Sequence, residues 1–144
     1  MIDSNLTFAT WLRTNAALTA LLGDAIGVSP AVPAIYCGML PETYRPEVNG
    51  CAITFSTGGG LGDPEVPIVS PRVQVECWAP ALSSQQARAI YRALYDLIAG
   101  QNSIDLGAAG YVLSCIEEVQ GQDLTDPDTQ WTSVLCYYRL TLRN

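Results

Sequence analysis

Pro71-Arg72-Val73-Gln74-Val75-Glu76-Cys77-Trp78-Ala79-Pro80 decides the fold, read together with residues 83–100 that follow it. In the first block Val73, Val75 and Cys77 alternate with Arg72, Gln74, Glu76 and Trp78, the period of an extended chain whose two faces meet different surroundings. The alternation predicts a half-buried antiparallel strand over 71–79, its second face open to water or to a partner. The next block changes period. Ala87, Ile90, Tyr91, Leu94, Leu97 and Ile98 recur every three or four positions, which predicts a helix of about 16 residues. Ser83 and Gln86 have the spacing of a capping box, and Gly100 that of a C-terminal stop. Arg88, Arg92 and Asp96 fall on the helix's outer face.

Working outward, the N-terminal side holds a broken helical unit. Leu6, Phe8, Ala9, Trp11 and Leu12 belong to a helix starting near Asp3 or Ser4; Asn15 caps a shorter piece carrying Ala17, Leu18, Leu21 and Leu22, and Gly23 closes it. Prolines 30, 33, 41 and 46 surround Ile35-Tyr36-Cys37, which fits a short edge strand. Residues 51–56 alternate as a strand and run into Thr57-Gly58-Gly59-Gly60-Leu61-Gly62-Asp63-Pro64, whose glycine density predicts a mobile loop. On the C-terminal side, 101–110 is turn-rich, 111–116 reads as a strand, and 120–129 as a polar, acidic loop. The last strand, 131–142, places Val134, Cys136, Tyr138, Leu140 and Leu142 on one face. The opposite face carries Leu135, Tyr137 and Arg139, and is too apolar to be comfortable in water. The expected class is α+β, a single domain over 1–144 with a mainly antiparallel sheet of four to five strands and helices packed on one face.

The composition narrows the function. Of 144 residues, 49% are hydrophobic and 15% charged, so a monomer lacks the polar groups to cover its exterior, and part of the surface is expected to be buried against a partner. The net charge is −7, from seven Arg, no Lys and no His. Without a basic run the chain is poorly suited to gripping nucleic acid. The five cysteines (37, 51, 77, 115, 136) are odd in number and show no C-x-x-C pair, which argues for buried reduced thiols instead of disulfides or a zinc site. The polar Met1-Ile2-Asp3-Ser4-Asn5 start lacks a basic leader, and no apolar run reaches the ~20 residues of a membrane span. A reducing cytoplasm and no membrane partner are therefore expected.

Catalytic and cofactor motifs fail one by one. Gly58–Gly62 lacks the lysine of a phosphate loop and runs into Pro64, where a helix would have to begin. Asp123, Asp126 and Asp128 lack the glycine and glutamate of a calcium loop and read as a solvated acidic turn. Glu117 and Glu118, adjacent on a strand, point to opposite faces. With no histidine and no lysine, an activated Ser or Cys nucleophile has no base. The expectation is a chain with no catalytic residue, cofactor or metal. Interface candidates remain: Arg72, Gln74, Glu76 and Trp78 on one strand, Tyr137 and Arg139 on another, Gly58, Gly59 and Gly60, and Asp126, with Trp, Tyr and Arg being the types that carry interface energy. The alternative for the aromatics is burial within the monomer by sheet twist or a covering loop.

The 71–80 strand and the 83–100 helix resemble the tail completion, or tail terminator, proteins of long-tailed bacteriophages. Their pattern is an Arg-x-Gln-(Val/Ile)-x-x-Trp strand, a short turn and an amphipathic helix closed by glycine. Leu18-Thr19-Ala20-Leu21-Leu22-Gly23-Asp24-Ala25-Ile26 resembles the family's opening helix and its Gly-Asp-x-Ile exit, and Pro33-Ala34-Ile35-Tyr36 its first strand. The chain departs from the pattern at Ala25, where a basic residue is usual, and in the 56–70 and Asp126 loops, which leaves partner identity open. The resemblance implies an α+β subunit of a hexameric ring in the virion tail or neck, assembled in the host cytoplasm. Such a ring caps the tail-tube protein and joins it to the head-tail connector or stopper, with DNA only passing through its channel. Another ring of the same particle, a connector or tail-tube protein, is the alternative; a small-molecule binding module using the glycine run is a second.

Overall fold

The computed structural model describes residues 2–62 and 65–143. Its elements in chain order are α1 (Ser4–Arg13), α2 (Ala16–Thr19), β1 (Ile35–Cys37), α3 (Pro46–Asn49), β2 (Ala52–Gly62), β3 (Ile68–Ala81), α4 (Ser84–Ile98), β4 (Asn102–Asp105), a 3-10 turn (Gly107–Ala109), β5 (Tyr111–Thr125) and β6 (Trp131–Arg143). The strands form one sheet in the order β1-β2-β3-β6-β5-β4. All pairings are antiparallel except β1 with β2. The α+β class holds, but among the described residues the sheet has six strands, not four to five. The extra strand, β4, lies in the stretch read as turns and pairs with β5 through Asn102–Ser114 and Ile104–Val112.

One face of the sheet carries the core. Ile53 and Phe55 from β2, Val73, Val75 and Cys77 from β3, and Val134, Cys136, Tyr138, Leu140 and Leu142 from β6 meet Phe8, Trp11 and Leu12 of α1, Leu18 of α2, and Ala87, Ile90, Leu94 and Ile98 of α4. Strand alternation and helical period therefore agree on which residues go inside. Asn15 caps α2 as expected, and Asp3 caps α1, each side chain accepting two backbone N–H groups. Gly100 takes φ +71, the conformation a glycine stop requires.

Other expectations fail for reasons of tertiary pairing. The glycine run is not a loop: β2 continues to Gly62, pairing Gly58 with Arg72 and Gly62 with Val69 across a bulge between Gly58 and Leu61. A Cβ at Gly60 would collide with the Ser70 carbonyl, so this glycine serves close backbone approach within a ladder. Asp63 and Pro64, the end of that supposed loop, lie outside the described residues. The acidic stretch is likewise not all loop, since β5 runs on to Thr125 against β6 and the turn proper is 126–130. Ser83 makes no side-chain cap bond; its hydroxyl donates to the Ala81 carbonyl at 3.4 Å, and the capping box does not form. Gly23 does not end α2, which stops at Thr19. It crosses the backbone at Asn49 and Gly50, its N–H donating to Cys51 O at 2.8 Å.

Four of the five cysteines are buried and Cys37 is exposed; none is disulfide-bonded. Burial pushes the Cys115 and Cys136 thiols up to about 12. A thiolate-specific reagent should therefore titrate one thiol in the native protein and five after denaturation. More than one fast-reacting thiol under native conditions would contradict this packing.

Candidate assembly face

The sheet's second face is built by the residues that alternate with the core. Arg72, Gln74, Glu76 and Trp78 of β3 lie opposite Arg139, Tyr137, Leu135 and Ser133 of β6, and Ile116 of β5 extends the row beyond Arg139. Part of this face is covered within the chain. Tyr44, 1% exposed, packs with Ala34 and Ala52, and its hydroxyl donates to Gly50 O at 2.7 Å. The rest is open: Ile116 is 59% exposed, Arg72 and Gln74 are exposed, and Leu135, Tyr137 and Arg139 are half-buried.

Two arginines directly opposite one another on a ladder repel. Here Glu118 resolves the conflict, taking Arg139 Nε at 2.8 Å and Arg72 Nε at 2.9 Å. Arg139 first, with Arg72, holds its carboxyl below the ordinary range. The Arg72 guanidinium lies 4.5 Å from the centre of the Tyr137 ring. Glu117, one residue away, faces the core side, where it accepts from the Tyr91 hydroxyl at 2.6 Å and the Tyr138 hydroxyl at 3.1 Å. The two neighbouring glutamates thus serve opposite faces, as alternation requires.

At the other end of the face is an open hollow of about 460 Å³, walled by Tyr44, Trp78 and Trp131 with Glu42, Glu76 and Asp126. Trp78 meets Trp131 edge-on, ring centres 6.4 Å apart, and its Nε1 donates to Thr54 Oγ1 at 2.9 Å. The monomer thus buries part of Trp78, while the ring remains partly accessible. Asp126 accepts from the backbone N–H groups of Thr129 and Asp128, both at 2.9 Å, which hold its carboxyl low. Glu76 accepts from Ser133 Oγ at 2.8 Å. Burial nevertheless raises its carboxyl, and repulsion from Asp126 adds to this.

The sign of the Glu76 effect follows from that direction. In the unfolded chain Glu76 ionises at its ordinary value; in the fold it holds its proton to higher pH. Its contribution to stability therefore declines as pH rises from the unfolded value through the raised folded value, and is lowest above both. Glu76→Gln removes this titration and keeps an acceptor for Ser133. The stability difference between variant and wild type, followed by urea unfolding from pH 4 to 7, should shift toward the variant as pH rises. A constant difference would show that Glu76 is not buried as described.

Of the residues singled out in the sequence, Arg72, Gln74, Glu76, Trp78, Tyr137 and Arg139 share this face, and Asp126 joins Glu76 and Trp78 in the hollow. Gly58 sits opposite Arg72 at the rim, and Gly59 and Gly60 belong to the bulge beyond it. Sequence reading missed Glu118, Glu42, Tyr44 and Trp131. Only Trp131, as an aromatic at a strand start, carried any signal; the others depend on register and on the fold of 38–50. Asp123 of the acidic stretch pairs with Arg88 at 2.8 Å, away from Asp126.

No family model matches the chain, and no curated protein does. Among solved structures, a chain of the virion of the native gene transfer agent (GTA) particle is similar, with a TM-score of 0.62 and 15% identity, over 96% of this chain and 92% of that one. The likeness is one of fold.

Proposed function

We propose that this chain is a structural subunit of a phage-like virion: a tail terminator that forms a hexameric ring, caps the tail tube and joins it to the head connector. The observation that carries this reading is the likeness of fold to a virion chain over nearly the full length of both. It is supported by the independent resemblance of the β3–α4 block to tail completion proteins. The open face of β3, β6 and β5 offers apolar and aromatic side chains, with Arg72 and Arg139 among them, of the kind that a ring interface buries. The net charge of −7 suits a channel through which DNA slides without sticking. On this reading the chain is not an enzyme. On the open face Arg72, Arg139 and Glu118 are engaged in ion pairs, Glu76 in a hydrogen bond and Asp126 in a turn.

The test is assembly. Purified protein added to tails lacking heads should bind the free tube end, stop further polymerisation of tube subunits and make those ends competent to join heads. Binding to heads alone would assign it to the connector, and co-polymerisation along the tube would assign it to the tube. Failure to bind either would remove the virion reading.

A further inference from the structure

The hollow beside Trp78 has the chemistry of a cation receptor. Its aromatic wall is Tyr44, Trp78 and Trp131, its carboxylates are Glu42, Glu76 and Asp126, and no basic residue lines it. The arginines of the same sheet face, Arg72 and Arg139, are both engaged with Glu118. A partly desolvated carboxylate, Glu76, beside aromatic rings, with Asp126 and Glu42 adding negative charge and no cation at hand, is what a guanidinium group satisfies, through charge and through ring faces at once.

Every side-chain cation of this chain is an arginine. Arg72, Arg88 and Arg139 are ion-paired, Arg143 lies 4.3 Å from the centre of the Tyr111 ring, and Arg13 occupies the last turn of α1, where a positive charge meets the helix's negative end. Arg45 and Arg92 remain, both exposed and without an ion pair among the described residues. Arg45 adjoins Tyr44, on the hollow's own side of the sheet. Arg92 stands on α4, across the sheet from the hollow, on an outer helix surface that also carries Tyr95, 44% exposed. In a closed ring each contact is heterologous, one side of a subunit meeting a different side of the next. Arg13 of α1 and Arg92 of α4 both stand on that opposite side without an ion pair among the described residues, and of the two Arg92 has an exposed aromatic, Tyr95, one turn away on its own helix.

We infer that the hollow receives Arg92 of a second copy of this chain. The inference rests on the ring reading, because it needs a neighbour of the same kind. In the contact the guanidinium lies against the Trp78 and Trp131 rings with Glu76 and Asp126 as acceptors, and Tyr95 packs at the rim.

The test is self-association of the full chain, followed by sedimentation up to millimolar concentration, with circular dichroism to verify folding. Arg92→Ala, at an exposed position, should weaken association about tenfold or more, and Glu76→Gln with Asp126→Asn should do the same. Combining them should cost little beyond either alone, since both remove one contact. Arg13→Ala should leave association unchanged. If rings form equally well in all variants, the docking is wrong while the ring stands. If the wild-type chain stays monomeric throughout, the ring reading falls and the docking with it.

Discussion

Leu94→Ala should lower the unfolding free energy by roughly 3 kcal/mol, within the range of about 2–5 kcal/mol for truncating a large buried aliphatic side chain. Leu94 is fully buried at the middle of α4, the helix that lies on β3, β6 and β5. Its removal leaves a void between helix and sheet that neither element can close without losing its other contacts, because Ile90 and Ile98 are seated one turn to either side. Against a total stability of about 5–15 kcal/mol for an ordinary domain, this is a large fraction. Urea unfolding should show a lower midpoint with an unchanged slope. A loss below about 1 kcal/mol would mean that α4 is not packed on the sheet as described, since surface substitutions cost no more than this.

Gly23→Ala should be nearly as damaging, although it adds only one methyl group. The added Cβ would lie 2.9 Å from the Asn49 carbonyl carbon and 3.0 Å from Gly50 Cα, and closer still to the Asn49 oxygen. All of these are backbone atoms, so no side chain can swing away. The crossing is also tied by hydrogen bonds, Gly23 N to Cys51 O and Ala34 N to Gly23 O, both 2.8 Å. Separating the two backbones enough to admit a methyl group would strain or break them. A cost of about 2 kcal/mol is expected for such overpacking, equivalent to roughly 4–8 °C in melting temperature at this chain length. Gly59→Ala is the control. Nothing lies within 4 Å of its added Cβ and its φ is not positive, so its melting temperature should stay near the wild type.

These two positions show what was legible in the sequence. Leu94 belongs to a periodic pattern, and such patterns read correctly: α4, the middle of β3 and the inner face of β6 were all recoverable from spacing. Gly23 stands out in the sequence as a helix stop, but a distant backbone crossing, not the local rule about helix ends, is what requires glycine there. The same limit explains the glycine run. Its composition favours a loop, but the hairpin with β3 supplies ladder hydrogen bonds, and the partner backbone at Ser70 and Pro71 requires glycine at position 60. The polar end of β5 is a strand because β6 pairs with it, not because its residues prefer extension. On the open sheet face, alternation groups Arg72, Gln74, Glu76 and Trp78 as the structure does. Glu118 between two arginines, and Tyr44 closing the far end, depend on strand register and on loop path, which no window of sequence contains.

The sheet order has a consequence for how the molecule is made. The final strand, Trp131–Arg143, lies between β3 and β5, next to residues that precede it by some sixty positions. While a ribosome is still translating the segment after α4, the β2–β3 hairpin and α4 have been made but their central neighbour has not. The inner flank of β3 then presents bare amides and carbonyls, and Val73, Val75 and Cys77 lack most of their cover. Collapse into the native arrangement must wait for β6 to leave the exit tunnel and insert between strands on both sides. From the completion of β3 to that of β6 the nascent polypeptide therefore carries an exposed, adhesive strand edge, which is the state that chaperones shield.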